Sequence, residues 1–271
     1  MEYTDSIKAR GISESHRRLL ARLHRCFTGP FTVRDAAGEW ETDHGRTARL
    51  LAYWASRGWL SRVRRGTYIT VPLEARSPSE RKEDPWVIAA ALFTPAYIGG
   101  WSACEHWGLT DQIFSDVVVF TSHRVRRRRQ TIQGITFVFK SIPPKKVFGL
   151  STIWRGQTKI QISDPSRTIA DVLDNPSLGG GIKHVAEVLH EYFAGEHRND
   201  RLLTDYVGRL DNRTVRKRLG YLIETLAIDA PEIIKFCKRN LSTGYSKLDP
   251  TIRAKGRLTR RWNLGINVRI K

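Results

Sequence analysis

The stretch DHGRTARLLAYWASRGWLSRVRRGTYITV, residues 43–71, sets the organisation of the N-terminal part of the chain. Asp43 suits a helix N-cap, since its carboxylate can accept a backbone N–H of the first turn. The spacing predicts a helix over His44–Arg57, with Ala48, Leu51, Ala52 and Ala55 on one face and Gly58 as its stop. Trp59–Val63 then reads as a strand, Arg64-Arg65-Gly66 as a turn, and Thr67–Val71 as the returning strand. Between His44 and Leu73 the basic residues Arg46, Arg49, Arg57, Arg62, Arg64 and Arg65 stand without any Asp or Glu. The preceding segment, by contrast, carries Asp35, Glu39, Glu41 and Asp43.

Upstream, Leu19, Leu20, Leu23, Cys26 and Phe27 recur at helical spacing, which predicts a first helix over Glu14–Phe27 capped by Ser13 or Ser15. A second, short helix fits Val33–Ala37, capped by Thr32 and stopped near Gly38. The connection from Gly38 to Asp43 reads as longer than a standard helix-turn-helix turn. Three helices followed by a hairpin is the order of a winged helix-turn-helix. In that fold the third helix enters the DNA major groove and the wing lies over the backbone or minor groove. With the alanine face inward, Arg46, Thr47, Arg49 and Tyr53 are the expected base readers. Arg64 and Arg65 are the expected positioning contacts, and Arg62 is counted with them among the DNA-binding residues.

The whole composition favours the same class of partner. The 271 residues hold 46 Lys+Arg against 27 Asp+Glu, a formal net charge of +19. Basic side chains placed against phosphates release condensed counterions, so this balance favours a polyanion. The chain contains no apolar run of about 18 residues, so no membrane span is expected. Its first residues, MEYTDSIKAR, lack the apolar core of a secretory signal. The three cysteines (Cys26, Cys104, Cys237) have neither disulfide-framework nor zinc-site spacing, which fits a reducing cytoplasm.

The fold class expected is α+β: a winged helix over residues 1–75, a linker over 76–84, and a larger mixed α+β domain over 85–271. In the second domain, helices fit Pro85–Phe93 and Gly100–Trp107. Val117–Thr121 is β-rich, Thr131–Ile142 reads as a hairpin turning at Gln133-Gly134, and Ile160–Ile162 as a short strand. Helices then fit Pro165–Leu173, Ile182–Phe193, Leu202–Leu210, Val215–Ile228 and Pro231–Lys238, before a β-like tail over Ile266–Ile270.

Residues 117–163 contain no acid, and within them Arg124, Arg126, Arg127, Arg128 and Arg129 form a second basic cluster. DNA, RNA or an acidic protein would neutralise it, and a solvated loop is the plain alternative. Arg213, Arg216, Lys217 and Arg218 read as surface charge at a helix start.

Candidate catalytic groupings are weaker. Ser102, His106 and Asp111 are close in sequence, but a triad is defined by geometry. His184, Glu187 and His190 share a helical face but lack further metal ligands. Asp116 and Lys140 suggest the acid–lysine layout of metal-dependent nucleases, but the second acid before the lysine is missing. Gly179-Gly180-Gly181 lacks the Lys and Ser/Thr of a phosphate loop and reads as a separator of two helices. Asp164-Pro165 is a cap followed by a first-turn proline, so it predicts a helix start and not a catalytic acid. No enzyme activity, cofactor or metal is expected.

Several of these strings resemble one family, the AbiEi antitoxins of type IV abortive-infection toxin–antitoxin systems. They are residues 58–68 (GWLSRVRRGTY), residues 97–103 (YIGGWSA), residues 164–174 (DPSRTIADVLD) with Pro176, Gly179 and Gly180, residues 218–222 (RLGYL), Leu248-Asp249-Pro250, and Arg261-Trp262-Asn263-Leu264. The resemblance implies a winged-helix repressor that binds inverted repeats in its own promoter. It also implies a C-terminal domain that counters a nucleotidyltransferase-type toxin. A stand-alone regulator without a toxin would carry the same features. A metal-dependent nuclease, or an RNA- or protein-binding module built on Arg124–Arg129, are the readings from other classes.

Overall fold

The computed structural model describes residues 13–71 and 83–270. The chain divides into two compact units, Met1–Ala91 and Leu92–Lys271. Most of the stretch expected as a linker, up to residue 82, lies outside the described residues.

The first unit runs α1 (Glu14–Cys26), β1 (Phe31–Thr32), α2 (Val33–Trp40), α3 (His44–Ser56), β2 (Leu60–Arg64), β3 (Thr67–Thr70) and α4 (Pro85–Phe93), the last crossing into the second unit. Each of the first three helices starts at a side-chain cap. Ser13 accepts from His16 N, Asp43 accepts from Arg46 N, and Thr32 and Asp35 form a reciprocal capping box. β1 was not foreseen. It adds to the hairpin in the order β1-β3-β2, with Phe31 opposite Tyr68. Leu20, Leu23, Ala36, Trp40, Leu51, Trp54, Leu60 and Tyr68 form the core.

Two expectations about this unit are corrected. The second helix does not stop near Gly38 but continues to Trp40, whose indole is a core anchor. Glu41 takes the left-handed conformation (φ 53°), and Thr42 N donates back to Ala37 O at 3.0 Å. That backbone bond closes the helix in the manner of a Schellman motif. The connection is therefore only Glu41–Asp43, a tight turn, and the third helix is not offset by a long loop. The second correction concerns the buried face of α3, which is Thr47, Leu51 and Trp54, while Ala48, Ala52 and Ala55 are half-buried.

The second unit is built on a six-stranded mixed sheet. Its strands are β4 (Ala96–Ile98), β5 (Val117–Thr121), β6 (Arg129–Ile132), β7 (Ile135–Ser141), β8 (Leu150–Arg155) and β9 (Thr158–Ser163), in the order β6-β7-β5-β4-β9-β8. The β6–β7 hairpin turns at Gln133 and Gly134, both at positive φ, as a two-residue hairpin turn requires. The helices are α5 (Gly100–His106), α6 (Pro165–Asp174), α7 (Ile182–Ala194), α8 (Asp200–Leu210), α9 (Arg213–Thr225) and α10 (Pro231–Lys238). A small sheet of β10 (Ser246–Lys247), β11 (Arg257–Thr259) and β12 (Leu264–Ile266) closes the chain. The main core gathers residues of α6 to α10, among them Ile169, Leu173, Leu189, Leu219 and Ile233, together with Trp262.

Candidate nucleic-acid interface

Four exposed side chains of α3 and its C-cap fall on one stripe. Arg46, Arg49, Tyr53 and Arg57 are all exposed and follow one another by three or four residues, the spacing of one helical face. The opposite stripe is locked into the core by Leu51 and Trp54, both fully buried. Burying these two large side chains contributes several kcal/mol, at about 25 cal/mol per Å² of apolar surface, and so fixes which face looks outward.

Thr47 is removed from the reader set. It is 1% exposed, and its hydroxyl lies 2.9 Å from that of Thr42 across the turn. A side chain held there cannot reach a base edge. It closes the helix-turn-helix instead. Arg57 was not among the expected readers, although it stands on the same stripe and its guanidinium lies 5.4 Å from the Tyr53 ring centroid. Extending the spacing of Arg46, Arg49 and Tyr53 by one more turn would have found it.

The wing is short. β2 and β3 pair antiparallel, with a register shift between Arg62 and Arg64 that turns Val63 inward and leaves both arginines exposed. Arg62 donates to Tyr68 Oη at 3.4 Å and lies 5.6 Å from the centre of that ring. Arg64 ends the strand, and Arg65 and Gly66 make the turn, with Gly66 at φ 76°. Arg65 is thus at the tip and Arg64 one step behind it. The acid-free window coincides with this stripe and this hairpin. The acid next to this window in the sequence, Asp43, is occupied in capping α3 through Arg46 N at 2.8 Å. The cap is worth about 1 kcal/mol.

The second cluster sits apart in the sequence and in its own unit. Arg124, Arg126, Arg127 and Arg128 are exposed in the loop before β6, and Arg129 opens that strand. Arg129 is paired with Asp116, whose carboxylate is thereby committed to an ion pair. Ser102 and His184 of the remaining candidate groups are taken up structurally. Ser102 Oγ accepts Val118 N at 3.0 Å, and the His184 ring bonds Thr110 Oγ1 at 2.7 Å and Gly179 O at 2.6 Å. Among the described residues no group of three or more His, Cys, Asp or Glu could hold a metal ion. No helix among them is long and apolar enough to cross a membrane.

The run after Asn212 is not surface charge throughout. Lys217 and Arg218 are buried. Arg218 donates to the carbonyls of Leu173, Asp174, Leu248 and Lys247, and so closes the C-terminal end of α6. Burial lowers its pKa to about 10, which leaves it charged at neutral pH. Lys217 Nζ donates to the carbonyl of Gly244. A second buried group joins α6 to β4. Arg167 donates to Asp171 Oδ1 and to Tyr97 Oη, each at 3.0 Å, while Tyr97 Oη donates to Asp171 Oδ2 at 3.0 Å. Asp164 caps α6 as expected, accepting from Arg167 N at 2.8 Å and from Tyr206 Oη at 2.8 Å.

Comparison with known proteins bears on both units. Residues 17–71 match the family described as "Transcriptional regulator, AbiEi antitoxin". No curated protein sequence matches the chain. Among solved structures, the RV2827C protein from Mycobacterium tuberculosis is similar, with a TM-score of 0.64 at 14% identity, covering 94% of this chain and 92% of that one. At that identity the likeness concerns the fold, and it extends through the second unit. Residues 17–71, from within α1 to the end of the hairpin, are therefore similar to the AbiEi antitoxin transcriptional regulators.

Proposed function

We propose that the protein is a non-enzymatic DNA-binding repressor. It recognises inverted repeats in the promoter of its own operon, and its second unit counters a nucleotidyltransferase-type toxin encoded beside it. The observation that carries the DNA reading is the stripe Arg46, Arg49, Tyr53 and Arg57, backed by the wing arginines and free of acids. Arginine forks match guanine O6 and N7 in the major groove, and Arg64 and Arg65 match phosphate oxygens. The family match at residues 17–71 supports the regulatory and antitoxin assignment. Such a protein works in the cytoplasm, where its operator and its toxin are.

Two experiments test the proposal. Footprinting on the native promoter should protect two half-sites related by an inverted repeat. Co-expression with the neighbouring gene product should relieve any growth arrest that product causes. Protection without relief would reduce the protein to a stand-alone regulator.

A further inference from the structure

The second unit contains a cavity of about 490 Å³ between the β6–β7 hairpin and the connection from α6 to α7. Arg128, Arg129, Lys140, Asn175, Ser177 and Leu178 are among the residues that line it, and no Asp or Glu does. Arg129 is engaged with Asp116. Lys140 is half-buried on β7, and among the described residues neither it nor Arg128 has a carboxylate partner. Two uncompensated cations facing one concavity repel each other and attract an anion.

The polar lining is composed of donors. Ser177 Oγ donates to Asn175 Oδ1 at 2.7 Å, which occupies the acceptor end of that amide and leaves its N–H groups available. Ser141 Oγ is spent on His123 O at 3.0 Å. Val138 and Leu178, both nearly buried, supply an apolar wall. A bare phosphate would leave this wall and most of the volume unused, whereas the size lies in the range of sites for small organic ligands, about 300–1,000 Å³.

We propose that this cavity binds a nucleotide-sized organic phosphate. Arg128 and Lys140 hold the phosphate groups, the Asn175 amide donates to the ligand's polar edge, and Val138 and Leu178 cover its apolar part. The proposal is independent of DNA recognition by the first unit, because its residues all belong to the second.

Isothermal titration of the full chain with ATP, GTP, CTP, UTP and inorganic pyrophosphate tests it. At least one triphosphate should bind with a Kd below about 1 mM, and pyrophosphate at least about tenfold more weakly. Lys140→Gln and Arg128→Gln should each weaken the triphosphate by roughly tenfold, with an unchanged unfolding midpoint in the absence of ligand. If Lys140→Gln fails to fold, the exposed Arg128 decides the matter. Failure of all four triphosphates to bind would overturn the proposal, as would pyrophosphate binding equally well. So would binding that survives the Arg128→Gln/Lys140→Gln double variant but is lost in Arg46→Ala/Arg49→Ala, since the anion would then sit on the winged helix.

Discussion

The indole of Trp262 lies directly against the Cα of Gly220, so close that a Cβ at that position would stand 2.1 Å from Trp262 Cη2. Trp262 is 1% exposed and donates from Nε1 to Glu224 Oε2 at 2.7 Å, one turn further along α9. The ring thus lies flat along the helix and joins two segments that the sequence separates. Gly220→Ala should destabilise the protein by about 1–3 kcal/mol, because neither the helix backbone nor the buried ring has room to move. Gly208→Ala is the matched control. It is also helical, but the nearest atom to a Cβ there is 4.0 Å away, so alanine should stabilise by about 0.5–1 kcal/mol. Urea unfolding of both variants gives the two opposite signs.

Arg218 caps carbonyls from two directions, and only a planar fork with five donors serves four of them. Arg218→Met should cost about 3–5 kcal/mol, since it strands buried carbonyls at the end of α6. Arg218→Lys should recover less than half of that loss, because one ammonium cannot span the same set. Chemical denaturation of the two variants side by side measures the difference.

The Arg167–Asp171–Tyr97 group predicts a pH dependence. Burial raises the Asp171 carboxyl to about 6, outweighing the pull of Arg167 and of the Tyr97 hydroxyl. Burial also works against the charge on Arg167, but there the pairing with Asp171 prevails and its pKa is raised. An acid whose folded pKa is raised binds more protons folded than unfolded, so its contribution to stability is full below about pH 4 and is lost as pH rises through about 6. The stability of wild type relative to Asp171→Asn should therefore fall between those two values and level off above them. Thermal unfolding of both proteins across that window checks the slope, and a rising difference would contradict the assignment.

Thr47 separates a structural role from a reading role. Thr47→Val removes the contact with the Thr42 hydroxyl and should cost about 1 kcal/mol of stability. It should leave DNA affinity unchanged in any protein that remains folded. At the wing tip, Arg65→Ala should weaken binding evenly across DNA sequences and lower the slope of log K against log salt by about one. Affinities of both variants at two salt concentrations test this.

Local rules carried much of the architecture. The caps at Ser13, Thr32, Asp43 and Asp164, the Gln133-Gly134 turn and the hairpin after Gly58 all act within a few residues, so their side chains announce them. The errors came where distant contacts decide. Gly38 looked like a helix stop, but Trp40 is drawn into the core and carries α2 past it. Leu51 with Ala48, Ala52 and Ala55 suggested the inner face of α3; Leu51 is indeed buried, but the larger Trp54 took the place of the alanines, and Thr47 went in with it. Lys217 and Arg218 looked solvated because their carbonyl partners lie 27 to 46 residues away in the chain. The strands β4 and β8 were missed because pairing with β5 and β9, not their own pattern, makes them strands. At the candidate interface the arginines were legible from the acid-free window. The inward turn of Thr47 was not, because that depends on which face the core takes.

The central claim is that α3 reads operator DNA with Arg46 and Arg49. Fluorescence anisotropy of the full chain on a labelled fragment of its own promoter, with an unrelated fragment as reference, tests this directly. The account predicts that each single alanine substitution costs about 1–3 kcal/mol on the promoter and that the Arg46→Ala/Arg49→Ala double variant binds the two fragments nearly alike. Undiminished promoter affinity and preference in the folded double variant would contradict it.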